Sequence, residues 1–122
     1  MNKPVQSFKK LIVWQKAYQF ALKIYKETDG FPKREIYGLT SQLRRCTVSI
    51  VSNIAEGYQR QHLGEYIQFL SISLGSCAEA ETQLLLAQDL NYISKDSSAP
   101  CLLLLKETSK IQQVMIPKLK GK

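Results

Sequence analysis

Three cysteines, one histidine and a set of basic residues at regular spacing are the side chains with which this chain could do chemistry. Cys46, Cys77 and Cys101 are odd in number and far apart, and no Cys-x-x-Cys occurs. That pattern suggests neither a zinc knuckle nor a paired redox site and fits reduced thiols. His62 stands alone. Di-iron bundles need Glu-x-x-His on two helices, so that chemistry fails on ligand supply, and neither metal nor cofactor is expected. No G-x-x-x-x-G-K-S/T, G-x-G-x-x-G or G-x-S-x-G string occurs, which removes the common nucleotide and acyl-transfer signatures. Glu56, Glu79 and Glu81 are carboxylates that could pair for acid–base work. On helices such groups are far more often solvated or salt-bridged, so no enzyme is expected.

What remains is charge. Residues 1–60 carry eleven Lys or Arg against four acids, and residues 61–122 carry six of each, so the net charge of +7 belongs to the first half. A one-sided basic surface on a small protein is an electrostatic footprint for a polyanion. Lys9, Lys16 and Lys23 are seven apart and stack on one helix face. Together with Arg44 and Arg45 they are the expected nucleic-acid-binding residues, acting through phosphate rather than bases. No stacking platform of clustered exposed aromatics is legible, so base-specific single-strand recognition is not expected. A basic face that docks an acidic protein partner is the competing reading.

The elements that must position these groups are helices. Gly and Pro punctuate the chain at 29–32, 57–64 and 97–100, and the stretches between read as helices near 6–29, 35–57, 64–93 and 99–120, with a frayed C-terminal tail. Short connections make successive helices antiparallel, which predicts an all-α, up-and-down antiparallel four-helix bundle in a single domain, 1–122. No stretch approaches the roughly 18 apolar residues of a membrane span. The N-terminus has no apolar signal core, and a cytoplasmic location is expected.

Helix 1 has two apolar strips. Leu11, Trp14, Tyr18, Ala21, Leu22 and Tyr25 share one face and are expected to form the core side. Val13, Ala17, Phe20 and Ile24 form a second strip, expected at a subunit interface because a surface helix of a monomer has no use for it. Helix 2 is expected to bury Ile36, Leu39, Leu43, Cys46, Thr47, Ile50 and Ile54, with Gly57 as a C-cap. Helix 3 aligns Tyr66, Leu70, Leu74, Cys77, Glu81, Leu84 and Gln88. Glu81 then needs a donor, for which Arg44, Arg45 and Asn53 are candidates. Its small-residue strip, with Ser73, Ser76 and Ala80, is a second expected oligomer interface, and Gly75 is read as a place of close helix approach. Helix 4 is expected to be capped by Ser97 or Ser98, with Pro100 in its first turn.

Several strings resemble a known family, the four-helix-bundle proteins encoded in intervening sequences of bacterial large-subunit ribosomal RNA genes. They are Phe8-Lys9-Lys10-Leu11 with Trp14-Gln15-Lys16-Ala17, residues 37–45, Ser49 to Gly57, and residues 69–76 followed by Glu79 and Glu81-Thr82-Gln83. The resemblance implies a left-handed bundle, assembly as a ring-like homopentamer and no known enzymatic activity. Accessory proteins of diversity-generating retroelements look like the same fold, which implies RNA or DNA and a reverse transcriptase as partners. The family commonly has proline where this chain has Val51, so helix 2 is expected to be straighter here.

Overall fold

The computed structural model describes residues 7–121. Four helices make up the molecule: α1 Ile12–Thr28, α2 Leu39–Gln59, α3 Leu63–Asp89 and α4 Lys95–Leu119. Short 3-10 turns at Phe8–Lys10 and Lys33–Glu35 precede α1 and α2. The first helix therefore starts later than the expected position near residue 6, because Phe8–Lys10 form a separate 3-10 turn and Leu11 is extended; residue 6 itself lies outside the described residues.

Helices pack in a closed square, α1 on α2, α2 on α3, α3 on α4 and α4 on α1. Side-chain partners show that each neighbouring pair is antiparallel. On the α1–α2 seam, Arg44 near the start of α2 reaches Thr28 at the end of α1. On the α2–α3 seam, Arg45 meets Glu79, Ser49 meets Ser76, and Ser73 Oγ donates to the Ile50 carbonyl. On the α3–α4 seam, Ser98 meets Gln88, and Gln112 meets Cys77. On the α1–α4 seam, Lys16 meets Glu107. In this arrangement α1 and α3 sit diagonally and run in the same direction.

The core inverts the expectation for helix 1. Val13, Ala17, Phe20 and Ile24 are buried within the chain, whereas Tyr18, Leu22 and Tyr25 are 45%, 54% and 43% exposed. The buried strip continues through Leu43, Cys46, Ile50 and Ile54 of α2, Leu70, Cys77 and Leu84 of α3, and Cys101 and Leu105 of α4. The expected oligomer-interface residues Val13, Ala17, Phe20, Ile24, Ser73, Ser76 and Ala80 are therefore interior positions. The first four fill the bundle axis. The three on α3 lie against α2 or the axis, where small side chains let the two backbones close up.

Other local expectations also shift. Ile36 is half exposed because α2 begins three residues later. There the Glu35 carboxylate accepts the orphan Leu39 N–H at 3.0 Å and supplies a cap from the preceding turn. Gly57 is an interior residue of α2, not its cap. A Cβ there would lie 2.7 Å from Phe69 Cβ and 3.2 Å from Tyr66, so glycine is what allows α2 and α3 to approach. Gly75, by contrast, faces open space. Ser94 caps α4, accepting the Ser97 N–H at 3.1 Å, so the helix starts four residues early and Pro100 falls in its second turn. α2 runs unbroken through Val51.

Candidate polyanion-binding surface

The five predicted basic residues do not share one face. Lys16 points to α4 and pairs with Glu107 at 3.2 Å. Arg44 points to α1, donates to Thr28 Oγ1 and the Tyr25 carbonyl, pairs with Asp29 at 3.1 Å and lies over the Tyr25 ring. Arg45 points to α3, where it binds Glu79 at 2.9 Å and Gln42. Three of the five thus hold seams together. Lys9 and Lys23 are exposed. Glu81 takes none of the expected partners. It is exposed and lines a groove of about 430 Å³ between α3 and α4, opposite Lys106 and Lys110.

Charge is instead polarised along the bundle axis. Each helix can be divided at its midpoint. The end built from the start of α1, the end of α2, the start of α3 and the end of α4 carries Lys9, Lys10, Lys16, Arg60, Lys110, Lys118 and Lys120, against Glu56 and Glu65. Arg60 takes both of those acids, Glu56 at 2.8 Å and Glu65 at 3.7 Å. That leaves Lys9, Lys10, Lys110, Lys118 and Lys120, all exposed, with no further carboxylate at their end among the described residues. On α4 the lysines frame an apolar hollow of about 350 Å³ lined by Lys110, Ile111, Val114, Met115 and Lys118. The other half is close to balance: Lys23, Lys26, Lys33, Arg34, Arg44, Arg45, Lys95 and Lys106 against Glu27, Asp29, Glu35, Glu79, Glu81, Asp89 and Asp96, while Glu107, at the midpoint of α4, pairs with Lys16. Sequence reasoning missed Lys110, Lys118 and Lys120 because it assigned charge by chain half. The fold brings the end of α4 beside the start of α1.

An aromatic cluster also went unseen. Trp14 and Tyr18 stack at 4.8 Å and 23°, Phe8 meets Trp14 edge-on, and the three line a groove of about 270 Å³ with Val51, Ser52 and Ala55 of α2. The expectation of no clustered surface aromatics is thus corrected. Their spacing was legible, but their exposure was not.

The thiols offer no nucleophile. Burial pushes Cys46 up to about 11 and raises Cys77 and Cys101 in the same direction, which keeps them as inert thiols at neutral pH. Among the described residues no group of three or more His, Cys, Asp or Glu is placed to hold a metal, and no helix is long and apolar enough to cross a membrane.

The fold and these surfaces define an all-α four-helix bundle. The family model for the 23S rRNA-intervening sequence protein matches residues 9–113. The chain belongs to that family. It is similar in structure to a protein of unknown function from the S23 ribosomal protein family of Bacteroides thetaiotaomicron, with 27% identity and a TM-score of 0.77 over 86% of this chain and 98% of that one. No curated protein matches the chain.

Proposed function

We propose that the protein is a non-enzymatic, oligomeric binding protein that holds nucleic acid by its phosphates, through the lysine-rich end of the bundle. The observation that carries this reading is the unbalanced charge there. Five exposed lysines share an end whose two acids are both held by Arg60. Cations without local counter-charges attract a polyanion and release its condensed counterions on binding. Assembly would multiply the effect, because each added copy raises the local density of cations without any new contact type. Lys9 stays in this assignment and Lys10, Lys110, Lys118 and Lys120 join it. Lys16, Arg44 and Arg45 leave it because their charges are engaged by Glu107, Asp29 and Glu79, and Lys23 leaves it because it lies in the balanced half.

The test is binding of nuclease-treated protein to a structured RNA and a DNA duplex over a salt series. Affinity is expected to fall steeply with salt. Lys9→Glu, Lys10→Glu and Lys118→Glu together should lower it more than tenfold and flatten the log–log slope on duplex DNA by about 3, given roughly 0.9 per phosphate contact. Lys33→Glu with Arg34→Glu, at the balanced end, should change it little. Equal losses from both variants would refute the placement. Absence of binding even at low salt would favour the second reading, an acidic protein docked on the same end. For that reading the apolar hollow framed by Lys110 and Lys118 is the supporting feature.

A further inference from the structure

Three aromatic rings at the lysine-rich end line a groove that phosphate contacts leave unused. Phe8, Trp14 and Tyr18 form its α1 side, and Val51, Ser52 and Ala55 form its α2 side. Trp14 and Tyr18 are stacked with centroids 4.8 Å apart, and Phe8 meets Trp14 edge-on at 5.4 Å. The platform is fixed in place. The Gln15 side-chain amide donates to the Lys9 carbonyl at 2.9 Å and the Leu11 N–H donates to the Phe8 carbonyl, which ties the turn carrying Phe8 to the start of α1. Tyr18 is exposed, and Phe8 and Trp14 are half-buried. Small side chains at Ser52 and Ala55 leave an opening of about 270 Å³. Pockets for drug-sized ligands start at about 300 Å³, so this one suits a single flat ring system.

The surroundings select the chemistry of that ring. Lys9 and Lys10 follow Phe8 directly and are exposed. Glu56, next to Ala55 in the chain, is neutralised by Arg60 at 2.8 Å. Ser52 is exposed and adds a hydroxyl that can donate to or accept from a ring edge. An apolar side chain of a protein partner would use the rings and leave the lysines idle. A duplex would use the lysines and leave the rings idle, because its bases are paired and extruding one costs unstacking. A single strand uses both, with a base on the aromatic platform and its backbone on the cations.

We propose that this groove stacks an unpaired base of a single-stranded nucleic acid whose flanking phosphates lie on Lys9 and Lys10. The proposal rests on the phosphate-binding reading above and narrows its substrate to strands with unpaired bases. Every base has a π face, so the groove selects strandedness and not sequence.

Trp14 is the only tryptophan of the chain, so its fluorescence reports on the groove directly. Nuclease-treated protein is titrated at low salt with a short oligothymidylate strand, an abasic strand with the same number of phosphates, and a DNA duplex, each also followed by the anisotropy of a label on the DNA. The oligothymidylate should quench Trp14, and the abasic strand and the duplex should bind without quenching. Stacking one base on an aromatic side chain changes affinity roughly 5- to 150-fold, so the abasic strand should bind at least about fivefold more weakly. Tyr18→Ala, with helicity checked against wild type, should lower affinity for oligothymidylate by a similar factor and leave duplex affinity unchanged. Tyr18→Phe, which keeps the ring, should restore the loss.

Equal affinity for the oligothymidylate and abasic strands, or equal quenching by strand and duplex, would overturn the groove and leave the lysine end standing. Quenching by oligothymidylate that survives Lys9→Glu, Lys10→Glu and Lys118→Glu together would instead remove the phosphate reading and leave the groove standing. Trp14 fluorescence that responds to protein concentration alone and not to the strand would give the groove to a second copy and overturn the proposal. Absence of binding to all three probes would overturn both readings.

Discussion

The two apolar strips of α1 occupy the same helix and have opposite fates. Val13, Ala17, Phe20 and Ile24 lie in the bundle axis at 2% exposure or less, while Tyr18, Leu22 and Tyr25 on the other strip are about half exposed. Both repeat at helical spacing, so periodicity alone ranks them equally. The difference lies in side-chain chemistry and in the neighbours. The buried strip is free of polar atoms and meets aliphatic layers of α2, α3 and α4. The outer strip is rich in Tyr and Trp, whose polar tips are satisfied at a water boundary, and it is bordered by Arg44, which stacks on Tyr25 and ties into Thr28 and Asp29. Two strips on one helix therefore need not both be core, and chemistry decides which one turns inward.

The sharpest way to break this comparison is to truncate one residue from each strip. Phe20→Ala empties a fully buried site and should cost about 3–5 kcal/mol of unfolding free energy. Leu22→Ala, two residues away, should stay within about 0.5 kcal/mol when measured on the dissociated chain. Urea melts at a concentration too low for assembly compare the two directly, and equal costs would mean that the strips are assigned wrongly. Trp14→Ala probes the border between them. It removes a half-buried ring held between Phe8 and Tyr18 and should cost about 1–2 kcal/mol. The 3-10 turn at Phe8–Lys10 should loosen with it, which faster amide exchange there would reveal.

Much of the fold was legible because helix breakers are local signals. The four helices fall between the Gly and Pro clusters as expected, with the largest boundary miss at the start of α1, and Leu43, Cys46, Thr47, Ile50 and Ile54 of α2 are buried as their spacing predicts. What failed depended on distant partners. Gly57 looks like a cap until Phe69 is seen against it, and Ser94 outcompetes Ser97 and Ser98 as the cap of α4. The candidate site shows the same division. The sign and size of the charge were in the sequence, and so was Lys9. The seam pairing of Lys16, Arg44 and Arg45 was not, because each acid that engages them lies 15 to 91 residues away in the chain. The recruitment of Lys110, Lys118 and Lys120 was equally hidden, because chain halves and bundle halves differ in an antiparallel fold.

The smallest expected effect concerns what sets the rotation of α1 in the first place. The α1–α2 connection is fixed at Glu35, whose carboxylate accepts the Leu39 N–H at 3.0 Å and the Tyr92 hydroxyl at 2.8 Å, while Phe31 packs on the Tyr92 ring and Arg34 lies over it. These bonds, the backbone one first, hold the Glu35 carboxyl below its ordinary value of 4.5, with Arg34 adding to the effect and partial desolvation opposing it. A carboxyl depressed by folding stabilises the native state above its unfolded value, and that contribution fades as pH falls through the folded one. The stability gap between wild type and Glu35→Gln should therefore be flat from pH 7 to about 5 and shrink below 4.5. If the gap is the same at pH 3 and pH 7, the charge on Glu35 has no part in the tie. In that case Phe31 and Tyr92 alone orient the connection, and the choice of inward strip on α1 rests on packing rather than on this anchored turn.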